Sequence, residues 1–205
     1  MVAKAKRRQF IQWSYWGKPL PGFGDPAGKL LILGLAPAAH GGNRTGRMFT
    51  GDGSAQFLMA GLYKFGFANQ PSSVSINDGL RLKDAYMTAV VRCAPPKNKP
   101  TLREIETCKR YWTEELKFLS NLRVVLALGR VAFETYVKYL KEQGVDVREF
   151  KFRHGALYEP PTHPALIASF HPSRQNTQTG KLTEPMFDSV LREVKRIIEL
   201  TEDAT

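Results

Sequence analysis

Four short apolar runs recur along the chain, at residues 29–33, 85–91, 124–128 and 165–169. Each is too short for a stable helix, and each is nearly free of polar residues. Such runs read as strands covered on both faces. Segments with helical spacing lie between and after them. Phe57, Leu58, Leu62 and Phe65 share one face of a helix over 54–65. Thr101 and Glu104 form a capping box for a helix over 101–119. A helix over 130–141 stops before Gly144. Met186, Val190, Val194 and Ile197 line one side of a last helix over 184–200. The basic, aromatic stretch 1–16 predicts one more helix, ending near Trp16. Residues 17–26 and 67–83 read as loops, and 145–164 as irregular with room for a short edge strand. Alternating strand and helix predicts an α/β fold. It is a three-layer α/β/α sandwich with a central four-stranded parallel sheet and right-handed crossovers. The 205 residues suit a single domain spanning 1–205.

In such a sheet, loops at the carboxyl ends of the strands line the ligand crevice. Two loops stand out. Residues 34–52 follow the first strand and hold Gly34, Ala36, His40, Arg44, Phe49 and Asp52. Residues 171–180 follow the fourth and hold His171, Ser173, Arg174, Gln175 and Asn176. If both strands are parallel, the two loops face one cavity.

Charge narrows the partner. Thirty Lys and Arg against nineteen Asp and Glu give +11, with a pI near 9.8. A basic globular domain is most simply a polyanion binder, nucleic acid first, the alternative being a solvated Lys-rich surface. No stretch reaches the roughly 18 apolar residues of a membrane span. The start lacks a signal-peptide segment, so the expected setting is a prokaryotic cytoplasm and the expected partner list has no membrane. Cys93 and Cys108 are too few for a disulfide scaffold and read as ordinary thiols. The chain has no Walker-type loop, no Gly-x-Ser-x-Gly elbow, no zinc-deaminase signature and no dinucleotide fingerprint.

The residues in the loops leave paired readings open. Phe49 is either a stacking face for a flat ring or an anchor pinning a long loop. Asp52 orients or activates a water, caps the helix that follows, or does both. His171 is a neutral donor to a carbonyl oxygen gaining charge, or a structural residue. The polar stretch 174–180 is a flexible grip on a sugar-phosphate backbone, or a solvated turn. His40, His154 and His163 read as ordinary structural histidines.

Taken in order, Gly34-Leu35-Ala36-Pro37 with Phe49-Thr50-Gly51-Asp52, the run from Val91 through Cys93 and Asn98 to Pro100, and His171-Pro172-Ser173-Arg174-Gln175-Asn176 resemble the type-5 uracil-DNA glycosylases of the uracil-DNA glycosylase superfamily. The resemblance spans about Arg8 to Ile198. It implies a monomeric, monofunctional repair enzyme acting on DNA that contains deaminated bases. Such an enzyme flips uracil, with hypoxanthine or xanthine beside it, and hydrolyses the N-glycosidic bond. It implies catalytic roles for Asp52 and His171, and base binding by Gly34, Ala36, Phe49, Ala89 and Asn98. It implies DNA contacts from Arg44, Ser173, Arg174, Gln175 and Asn176. Ala36 stands where many of the superfamily carry Asp or Asn, which moves the water-positioning role toward Asp52. Ala89 stands where uracil-strict relatives carry Asn, which implies a more tolerant pocket.

The same resemblance implies a [4Fe–4S] cluster on four thiolates, of which Cys93 and Cys108 match the later pair. This chain cannot complete that set as written. Either about two dozen residues ahead of Met1 carry the other pair, as four-ligand clusters require, or the cluster has been lost. Two other readings stay on the table: a non-catalytic damaged-DNA-binding module, and an enzyme acting on a free nucleoside or nucleotide.

Overall fold

The structure is a computed structural model describing residues 6–202. Six strands form one sheet: β1 (Phe23–Gly24), β2 (Leu30–Gly34), β3 (Ala85–Ala89), β4 (Val124–Leu128), β5 (Leu157–Tyr158) and β6 (Ala165–Ser169). Their order is β1-β3-β2-β4-β6-β5. The middle four are parallel and are the four apolar runs of the sequence. The outer two are antiparallel additions. β5 is the short edge strand for which 145–164 left room, whereas β1, two residues inside the expected loop 17–26, is too short to show a periodicity; together they take the sheet beyond the expected four strands.

Six helices complete the fold: α1 (Gly42–Thr45), α2 (Gly53–Lys64), α3 (Leu102–Phe118), α4 (Arg130–Glu142), α5 (Arg174–Gln178) and α6 (Glu184–Glu202). Strand side chains alternate between two buried layers, as the pleat requires. Leu30, Ile32, Met87, Leu126 and Ile167 pack against Leu58, Leu62, Phe187, Leu191 and Val194 of α2 and α6. Leu31, Leu33, Val125 and Leu166 pack against Trp112, Phe133, Tyr136 and Leu140 of α3 and α4. Truncating one such side chain costs about 2–5 kcal/mol, so the sheet is a stiff platform for the loops at its edge. Thr101 and Glu104 close the capping box of α3 as its sequence pattern requires.

Over residues 6–16 the expected amino-terminal helix does not form. Among the described residues there is only a 3-10 turn, Arg8–Phe10, and residues 1–5 of that expectation lie outside them. The aromatic rings have a better partner: Phe10 and Trp13 each lie 4.1 Å from the Arg44 guanidinium. The Trp16 and Gly17 amides bond to the carbonyls of Arg44 and Asn43. Tertiary contact with the first loop outweighs local helical preference here. Residues 171–182 are also more ordered than a flexible grip. Ser173 caps α5 by accepting from the Asn176 amide, and the Leu182 amide closes onto the Asn176 carbonyl.

Candidate active site

β2, β3 and β6 end on one rim, and the loops they launch enclose a narrow pocket. Ala36, Phe49, Asp52, Ala89 and His171 all line it, with Pro37, Ala38, Gly42, Met48 and Ser54. Two loops more than a hundred residues apart in sequence thus share one cavity. A roomier hollow lies under Pro160–Ala165, at the amino ends of β4 and β6 and so at the opposite end of the sheet.

The Phe49 ring lies directly over Gly34. A Cβ on Gly34 would fall 2.5 Å from Phe49 Cζ, so only glycine fits beneath the ring. Phe49 itself has φ of +46°, a left-handed conformation that costs a non-glycine residue about 1–3 kcal/mol. The surrounding loop offsets that strain. Arg47, 3% exposed, donates from Nε to Thr50 Oγ1 at 3.0 Å and from Nη2 to Ser73 Oγ at 2.9 Å. It also pairs with Asp78 at 2.7 Å. The Gly51 amide donates to the Ser73 carbonyl at 2.8 Å. Hydrogen bonding, chiefly from Arg47, holds the Asp78 carboxyl well below the usual range in spite of its partial burial. Arg47, Ser73 and Asp78 went unseen in the sequence because the partners are 26 and 31 residues apart and no spacing rule joins them.

Asp52 serves two purposes in one position. It caps α2 through Oδ1, which accepts the Ala55 amide at 2.9 Å, and it also lines the pocket. A Cβ on Gly41 would lie 2.1 Å from Oδ2, so the loop passes close over the carboxylate. Burial raises the Asp52 pKa, opposed by the Ala55 and Ser54 amides and by Arg44.

His171 lies two residues beyond the end of β6, after Phe170, and its imidazole has no hydrogen-bond partner among the described residues. Desolvation lowers its pKa to about 4, so the ring is neutral at physiological pH and free to donate one N–H into the pocket. Its carbonyl accepts from the Ser173 amide and from Asn176 Nδ2, both at 2.8 Å. Asn176 is therefore committed to holding the His171 turn.

The remaining expected residues separate. Arg174 and Gln175 are exposed, and the Arg174 stem packs on Gly53 at the start of α2. Arg44 is buried at 5% exposure, not presented to a phosphate. Its Nε donates to the His40 carbonyl at 2.8 Å and its Nη2 to the Gly51 carbonyl at 2.9 Å. Asn98 does not reach the pocket. Pro95 and Pro96 open a 3-10 turn in which Lys97 and Asn98 are left-handed, which carries Asn98 out to solvent.

Cys93 is exposed and Cys108 half-buried, both as free thiols. Burial, then the charge of Cys108, pushes the Cys93 pKa up, away from a reactive thiolate. Among the described residues no group of three or more His, Cys, Asp or Glu is placed to hold a metal. Two thiolates do not fit a four-iron cluster.

The family model of the uracil DNA glycosylase superfamily matches residues 21–195. A type-5 uracil-DNA glycosylase of Thermus thermophilus is 51% identical over 196 residues, covering 95% of this chain and 87% of that protein. One from Mycobacterium tuberculosis is 45% identical, covering 96% and 73%. One from Pyrobaculum aerophilum is 45% identical, covering 90% and 79%. With both loops meeting at one pocket, the chain belongs to the uracil DNA glycosylase superfamily, within its type-5 group.

Proposed function

We propose that this chain is a monofunctional DNA glycosylase. It takes uracil, and more widely deaminated bases, out of the duplex stack and hydrolyses the N-glycosidic bond. The observation that carries the reading is the convergence of Phe49, Asp52 and His171 on one pocket. The type-5 names of the relatives agree with it.

The chemistry follows from the lining. A base must leave the stack before its glycosidic bond can be reached, at a cost of a few kcal/mol that a mispaired uracil lowers. The Phe49 ring offers a stacking face in return, worth about 1–3 kcal/mol. As the bond from C1′ to the base nitrogen breaks, the base carries away the electron pair and C1′ gains oxocarbenium-like charge. The neutral His171 N–H donates to the base carbonyl oxygen as it turns negative. The Asp52 carboxylate stabilises the sugar cation and orients the water whose oxygen bonds to C1′. The proton released from that water neutralises the departing base anion.

The Ala89 methyl group stands at the wall where a paired amide would impose hydrogen-bond selection. That supports hypoxanthine and xanthine as substrates beside uracil. The test is a panel of end-labelled duplexes carrying each base, scored by strand nicking after alkali. Nicking at the modified base alone supports the reading. Tight binding to the same duplexes with intact strands favours a non-catalytic binding module.

A further inference from the structure

The edge ladder that holds β6 stops at Ala168, three residues before His171. The Ala168 amide donates to the Ala156 carbonyl at 2.9 Å, and the Gly155 amide returns to the Ala168 carbonyl at 2.8 Å. The next amide that needs a partner on that side is Phe170, the residue just before His171. No strand backbone reaches it. The His154 side chain does: the Phe170 amide donates to His154 Nδ1 at 3.1 Å. Because Nδ1 accepts, the ring proton is assigned to Nε2, which lies 3.3 Å from the Met186 carbonyl on α6. The imidazole also stacks on the Phe170 ring, with centroids 5.0 Å apart and planes 22° apart. In the next peptide, the one joining Phe170 to His171, Ser169 Oγ donates to the Phe170 carbonyl at 2.9 Å. Both backbone polar groups of the residue preceding His171 are therefore fixed by side chains, and neither of those side chains lines the pocket.

We propose that His154 is a positioning residue for His171. It stands in for the missing strand partner and fixes the peptide that aims the catalytic imidazole, tying that aim to α6. The inference rests on the glycosylase reading. Misplacing a reacting group by about 1 Å costs on the order of a hundredfold in rate, so the effect belongs in the chemical step and not in DNA binding.

The test compares single-turnover uracil excision with affinity for a duplex carrying a non-cleavable uracil analogue. His154→Phe keeps the ring stack and loses the acceptor. It is expected to slow excision about ten- to a hundredfold, with affinity unchanged. His154→Asn restores an acceptor oxygen near the Nδ1 position and is expected to recover most of that loss. In a His171→Ala background, His154→Phe is expected to add no further loss, because the residue it positions is gone. A wild-type rate in His154→Phe overturns the proposal. So does an Asn variant as slow as the Phe variant, or a loss that persists without His171. A wild-type protein that leaves every deaminated base in place overturns the glycosylase reading itself, and this inference with it.

Discussion

At neutral pH the His171 imidazole is uncharged, because desolvation holds its pKa near 4 against an ordinary 6.5. Between those values the unfolded chain binds a proton that the folded chain refuses. Stability therefore falls as pH drops from about 6.5 to 4, by roughly 1–3 kcal/mol from this residue. Denaturant unfolding at several pH values checks it. His171→Asn is expected to flatten that part of the profile, and an unchanged profile would show that the ring is already solvated. Ala89 carries a second expectation at this scale. Ala89→Asn places an amide against the bound base, so hypoxanthine excision is expected to fall relative to uracil excision by about tenfold or more. Equal rate ratios for the two proteins would remove Ala89 from any role in selection. Composition and loop context pointed to Phe49, Asp52 and His171 as residues worth weighing, and each had a bland alternative. The structure keeps both halves of the Asp52 alternative, since the carboxylate caps α2 while facing the pocket.

Among the elements, what was legible depended on length. The four parallel strands and four long helices each carry enough residues to show a period, and they stand close to where the pattern placed them. β1 and β5 show none, because two residues have no period. The loop from Gly34 to Asp52 was legible as special but not as built, because its stiffness comes from partners far along the chain. Arg47 reaches forward to Ser73 and Asp78, and Arg44 reaches back to Phe10 and Trp13. The Asp78 carboxyl is depressed, so its contribution is present above the ordinary carboxylate range and lost as pH falls below about 4. Asp78→Asn leaves the nearly buried Arg47 without a counter-charge. The expected cost is about 3–5 kcal/mol, read from unfolding at pH 7. Excision is expected to weaken as well, because the same network holds Phe49 in its strained conformation. A variant as stable as wild type would show that water already screens the pair.

For the molecule as a whole, the +11 charge is long-range attraction to a polyanion and says nothing of which base is removed. On the proposed reading, selection belongs to the pocket and register on the duplex to exposed cations near it. Arg174 is one such exposed cation, with its stem on Gly53 beside the Asp52 cap. Arg174→Gln is expected to weaken binding evenly for damaged and undamaged duplex. It should also reduce the slope of log K against log salt by about 1. A loss confined to uracil-containing DNA would place Arg174 in base selection instead.

One assay reaches the chemistry of the pocket directly. Wild type, Asp52→Ala and His171→Ala are each given a single-uracil duplex and scored for alkali-labile sites under single turnover, with folding checked by thermal melting. Wild type is expected to create the site quantitatively, and each folded variant to slow it by about a hundredfold or more. Excision at the wild-type rate by both variants would place the chemistry outside this pocket.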